Sequence, residues 1–110
     1  MKPWQKQRAE ELLHNHLSGR IALREMAAAC SLSIRHFSRS FRHAFGISAR
    51  QYLIRLRLER ARTLLARTNL SLAQIAHSCG FCDQAAFTRA FRKAERITPS
   101  QWRKQQRLRV

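Results

Sequence analysis

Apolar residues recur along this chain at the three- and four-residue intervals of one helix face, and they do so throughout. Only three glycines and two prolines interrupt the pattern, and the spacing predicts seven helices. The first covers about 3–16, turns Trp4, Ala9, Leu12 and Leu13 inward, and ends before Ser18-Gly19. The second covers Leu23 to Ala29. Ala22 stands where a capping hydroxyl would serve, so its start is weakly specified. The third is capped by Ser33, puts Ile34, Phe37, Phe41, Ala44 and Phe45 at core spacing, and stops at Gly46. The fourth opens on the capping box Ser48 to Gln51 and reaches about Ala66, with Tyr52, Leu53, Leu56, Ala61, Leu64 and Leu65 on its apolar side. Arg50, Arg55, Arg60, Arg62 and Arg67 fall mostly outside. Arg57 falls near the apolar arc, where it would snorkel or pair with an acid.

The fifth helix, Leu72 to Ser78, follows a second capping box, Ser71 to Gln74. The sixth begins after the cap Asp83, runs to about Glu95, and places Phe87, Phe91 and Ala94 inward. Thr98-Pro99-Ser100-Gln101 opens the seventh, with proline at the first helical position. The basic end, Arg103 to Val110, is expected to fray.

These elements repeat. Leu23-Arg24-Glu25-Met26-Ala27-Ala28-Ala29-Cys30 returns 49 positions on as Leu72-Ala73-Gln74-Ile75-Ala76-His77-Ser78-Cys79. Phe37-Ser38-Arg39-Ser40-Phe41-Arg42 returns 50 positions on as Phe87-Thr88-Arg89-Ala90-Phe91-Arg92. The second copy therefore carries one extra residue, and the matched caps Ser33 and Asp83 place it in the turn Gly80-Phe81-Cys82. The fold class is all-α: seven helices, with two helix-turn-helix subdomains joined by a long linker helix, homeodomain-like and wingless. The first module spans about 3–53, the linker helix 48–66 and the second module 67–105.

Charge changes the picture from a fold to a partner. The 110 residues carry 22 Lys and Arg against 6 acids, a net charge of +16. Such an excess attracts a polyanion, with nucleic acid foremost. The basic residues are spread over several short helices, not gathered on one amphipathic segment, so a membrane surface is not the expected partner. No apolar run spans a bilayer and no secretory signal opens the chain, so a cytoplasmic location is expected.

His14, His16, His36, His43 and His77 are scattered, and no nucleophile–base–acid order or phosphate-cradling glycine loop accompanies them, so no enzymatic activity is expected. Cys79-Gly80-Phe81-Cys82 has C-x-x-C spacing but lacks a second pair and a surrounding βαβ pattern. Cys30 and Cys79 hold the same place in the two copies, as small buried packing residues would. No metal or cofactor is expected.

In the third helix Arg35, Ser38, Arg39 and Arg42 form a stripe opposite the phenylalanines; in the sixth, Gln84, Ala85, Thr88, Arg89 and Arg92 do. The second helix of a helix-turn-helix lies in the major groove, where arginine can donate twice to guanine and glutamine pairs likewise with adenine. Recognition helices at about 34–45 and 84–95 would thus read double-stranded DNA. The N-termini after Ser48 and Thr98 offer phosphate seats, with Ser33, Arg42, Arg50, Arg92 and Lys93 as phosphate contacts. A linker helix of about 19 residues is about 28 Å long. Successive major grooves on one face are about 34 Å apart, so one monomer could engage two. The reading helices differ, Arg35 against Ala85 and Ile34 against Gln84, so the site should be asymmetric. A basic protein that binds polyanions without sequence preference is the alternative.

The chain resembles the AraC/XylS family of bacterial transcription regulators over about Leu12 to Arg103. Carrying motifs are Leu23-x-x-Met26-Ala27, Phe37-x-Arg39-x-Phe41-Arg42, Arg57-Leu58-Glu59-Arg60-Ala61-Arg62-x-Leu64-Leu65 and Ile75-Ala76-x-x-x-Gly80-Phe81. Most specific is Phe87-x-Arg89-x-Phe91-Arg92 followed by Thr98-Pro99-x-x-Trp102-Arg103, where Trp102 replaces the family's usual tyrosine. The resemblance implies that 1–110 is the family's two-module DNA-binding domain. It further implies transcriptional regulation, usually activation, through contact with RNA polymerase. Carried over by position, the base-contacting residues are Arg35, Ser38 and Arg39, then Gln84, Ala85 and Arg89. Ala85 offers at most a methyl contact. The chain is then either a stand-alone regulator of the MarA/SoxS kind or the C-terminal DNA-binding part of a longer member.

Overall fold

The computed structural model describes residues 1–15 and 22–109. Seven α-helices follow in order: α1 (Pro3–Asn15), α2 (Leu23–Ala29), α3 (Ile34–Phe45), α4 (Ala49–Arg67), α5 (Leu72–Ser78), α6 (Gln84–Glu95) and α7 (Pro99–Leu108). No strand occurs among the described residues. The expected extension of the first helix to His16, and its stop before Ser18-Gly19, lie outside them.

Helix starts sit where cap chemistry predicts, because a cap is a local bond between neighbours. Ser33 Oγ accepts from the His36 amide at 3.1 Å, and Asp83 Oδ1 from the Ala86 amide at 2.7 Å. Three reciprocal boxes form. The amides of Gln51, Gln74 and Gln101 donate to the hydroxyls of Ser48, Ser71 and Thr98 at 3.2, 3.1 and 3.1 Å. Each glutamine Oε1 accepts in return from its cap's own amide, at 3.0, 2.9 and 3.0 Å. Ala22, as expected, supplies no side-chain cap to α2.

The chain divides into two compact units, Met1–Leu56 and Arg57–Val110, so α4 contributes residues to both. In the first unit α1 packs on α2 and α2 on α3. Ala9, Leu13, Met26, Ala27, Cys30, Phe37, Phe41, Ala49 and Leu53 form its core. Phe41 stacks on Phe45 with centroids 4.2 Å apart, and Tyr52 meets both rings edge-on, at 5.8 and 5.3 Å. One polar side chain, Gln5, is buried there. Its Nε2 donates to the Cys30 carbonyl and its Oε1 accepts from the Lys2 amide, both at 2.9 Å, so its burial leaves nothing unpaired.

In the second unit α5 packs on α6 and α6 on α7, burying Leu58, Ala61, Leu65, Ile75, Ala76, Cys79, Phe87 and Phe91. Phe81, Phe87, Phe91 and Trp102 form a ladder with spacings of 5.4, 5.8 and 5.9 Å. Trp102 meets Phe91 edge-on as Tyr52 meets Phe41, so the sequence repeat extends to the aromatic packing.

Several sequence expectations need correction. Trp4 is 49% exposed and Ile34 45% exposed, although helical phase put both inward. Ala94 is exposed as well. Ala49 and Leu58, not assigned to the core from spacing, are buried. The basic end does not fray at Arg103, because α7 continues to Leu108. Arg103 Nε donates to the Leu65 carbonyl at 3.1 Å, and Arg107 Nη2 to the Thr68 carbonyl at 2.8 Å. Two arginines thereby satisfy carbonyls that the end of α4 leaves open.

The turns locate the extra residue. Ser31 and Gly80 follow the short helices with φ of 57° and 86°. The next amides then bond alike, Leu32 to the Ala27 carbonyl at 2.9 Å and Phe81 to the Ala76 carbonyl at 3.0 Å. Equivalence holds through Phe81 and resumes at Asp83, so Cys82 is the insertion.

α3 and α6 also end alike, Gly46 at φ 80° and Arg96 at φ 70°. An L side chain in that left-handed region is strained where glycine is not. Arg96→Gly, copying Gly46, should raise stability by about 0.5–1 kcal/mol after the extra chain entropy of glycine is subtracted. A urea midpoint that moves down would contradict this assignment of strain.

Candidate nucleic-acid interface

α3 has a dry side and a wet side. Phe37 and Phe41 are fully buried, while Arg35, Ser38, Arg39 and Arg42 are exposed. α6 is built the same way: Phe87 and Phe91 are fully buried, and Gln84, Ala85, Arg89, Arg92 and Lys93 are exposed. Thr88 is partly covered, so its hydroxyl is less available than Ser38. Each exposed stripe is thus presented by a short helix whose back is fixed by two phenylalanines and whose start is fixed by a cap. Ile34, in the opening turn of α3, is exposed as well, although spacing put it with the core residues.

Among the described residues the stripe arginines of α3 and α6 enter no ion pair. Arg8 pairs with Glu11 at 3.6 Å and Arg62 with Glu95 at 2.8 Å. Neither uses a stripe arginine. The second occupies the only acid on α6 with an arginine of α4, leaving the cations of that helix undiluted. The two helix starts differ: Ser33 is a neutral cap, whereas Asp83 puts a carboxylate at the N-terminus of α6. That carboxylate competes with phosphate for the positive end of the helix. Arg50 is exposed in the first turn of α4, beside the Ser48 cap, and Ser48 and Thr98 are each partly buried.

The cysteines fall into two kinds. Cys30 and Cys79 are fully buried, one in each unit, and Cys82 is exposed. Burial pushes both buried thiols above their ordinary range, with Arg8 opposing the shift at Cys30 and Arg60 and Arg57 opposing it at Cys79. Burial likewise lowers Arg57, which is half-buried and lies within electrostatic reach of Cys82 and Cys79. A thiol-reactive dye should therefore label the native chain at one fast site, and Cys82→Ser should abolish that phase. Fast labelling at three sites would contradict the buried placement.

A short helix, a tight turn and an exposed arginine-bearing helix, found once in each unit, define a helix-turn-helix DNA-binding protein. The family model for the helix-turn-helix domain matches residues 26–105. The chain belongs to the AraC-type family of DNA-binding transcriptional regulators. It is 31% identical over 93 residues to the probable transcriptional regulator LumQ of Photobacterium leiognathi, covering 84% of this chain and 38% of that one. It is 38% identical over 81 residues to the transcriptional activator RhaS of Klebsiella pneumoniae, covering 74% and 29%.

Two solved structures superpose with a TM-score of 0.87. One is the C-terminal domain of AraT, a response regulator from Geobacillus stearothermophilus, at 31% identity and covering 94% of this chain and 86% of that one. The other is the DNA-binding domain of AdpA in complex with a target DNA, at 28% identity and covering 96% and 94%. The chain spans about a third of the length of the curated relatives it matches. Among the described residues, no helix is long and apolar enough to cross a membrane.

Proposed function

We propose that the chain binds an asymmetric double-stranded DNA site as a monomer, with α3 and α6 entering adjacent major grooves. The observation that carries this is the exposed cationic stripe backed by buried phenylalanines, present on both helices. Base readers are Arg35, Ser38 and Arg39 in the first unit and Gln84, Ala85, Thr88 and Arg89 in the second. Ser33, Arg42, Arg50, Arg92 and Lys93 hold phosphates. The 19 residues of α4, about 28 Å of helix, suit a spacing near one turn of the duplex. Each unit is one helix-turn-helix module. The chain works in the bacterial cytoplasm, on the nucleoid. The relatives named activators support activation, with RNA polymerase as the protein partner.

Competition separates sequence reading from binding by net charge alone. A labelled preferred duplex should survive excess random DNA or heparin in moderate salt. Equal displacement by random DNA, heparin and the unlabelled preferred duplex would leave only a nonspecific polyanion binder. Arg50→Ala should weaken every DNA sequence alike and reduce the slope of log K against log salt by about one. A variant that instead changed base preference would contradict the phosphate role of Arg50.

A further inference from the structure

Ile34 has no structural reason to be where it is. It is the first residue of α3, β-branched and so a mediocre helix former, and it is 45% exposed instead of packed. The other large hydrophobics exposed among the described residues, Trp4, Leu23 and Leu108, lie off the recognition helices. Ile34 neighbours Arg35 and stands one turn before Ser38, at the edge where the arginine stripe meets the phenylalanine side of the helix start. The N-terminal residues of a recognition helix are the ones that meet base edges. The major groove displays one apolar group, the 5-methyl of thymine, and an aliphatic side chain is its complement.

Resting on the groove-reading function above, we infer that Ile34 is a specificity-determining residue that reads a thymine methyl under the first unit. Burying its exposed face against that methyl removes apolar surface from water on both partners. The second unit has Gln84 at the matching place, whose amide suits adenine. At this first helical position the two ends of the site are therefore told apart by an apolar contact under α3 and a hydrogen-bonded contact under α6.

The test uses a duplex selected from random DNA by the full chain, with each thymine replaced in turn by uracil, which deletes only the methyl. At one thymine under α3, uracil should weaken binding about fourfold, the worth of one buried methyl group. Ile34→Ala should erase that discrimination with helix content unchanged by circular dichroism, because the side chain lies outside the core. Arg89→Ala, in the other unit, should weaken binding yet keep the ratio. If Ile34→Ala keeps the ratio, or no uracil position matters, the inference is overturned while sequence-specific binding stands. If no sequence is selected at all, the groove-reading function falls with it.

Discussion

Phe37→Ala or Phe87→Ala should each lower the stability of the chain by about 3–5 kcal/mol. Both rings are fully buried, and each links the short helix of its module to the reading helix. Alanine leaves a cavity that rigid helical neighbours fill only in part, so the lost transfer energy and the lost packing add. Small domains are held by about 5–15 kcal/mol in total, so either change removes a large fraction of the native margin. Urea titration followed by circular dichroism measures it. A loss below about 1 kcal/mol would mean that the rings pack against something replaceable, and that the reading helices are not braced from behind.

Arg39→Ala should act on a different quantity. The side chain is exposed and enters no ion pair among the described residues, so folding should be unaffected. Affinity for the preferred duplex should fall by about 1–3 kcal/mol, roughly five- to 150-fold. Affinity for random DNA should fall far less, since a phosphate neutralised elsewhere is still neutralised. Titration of both duplexes at one salt concentration gives the ratio. If specific and random DNA lose affinity by the same factor, Arg39 holds backbone and reads no base.

The helix starts were legible because their chemistry lies within four residues. A hydroxyl or carboxylate at Ser33, Ser48, Ser71, Asp83 or Thr98 meets an amide three positions on, whatever the rest of the chain does. The stripes on α3 and α6 were legible because phenylalanine fixes which side is inward. Periodicity assigns an angle around a helix, however, and not whether another element covers that end. Ile34 and Trp4 have an inward phase but sit in first turns, where side chains lean back past the helix start and beyond the packed partner. Ala94, in the last turn of α6, also has an inward phase and is exposed.

Non-local bonds left no periodic trace either. Gln5 is buried because a carbonyl 25 residues away accepts from it. Arg103 and Arg107 hold α7 together at its basic end because the carbonyls of Leu65 and Thr68 need donors. Offsets alone confined the extra residue to a three-residue turn. Naming Cys82 required the two matched amide bonds at Leu32 and Phe81.

Selection of bound sites from random double-stranded DNA by the full chain tests the central claim most directly. Two unlike blocks of enriched bases should emerge, centred about 10–10.5 base pairs apart, with Arg39→Ala flattening one and Arg89→Ala the other. A pool that stays random through successive rounds, while the chain still retains DNA at low salt, would contradict it.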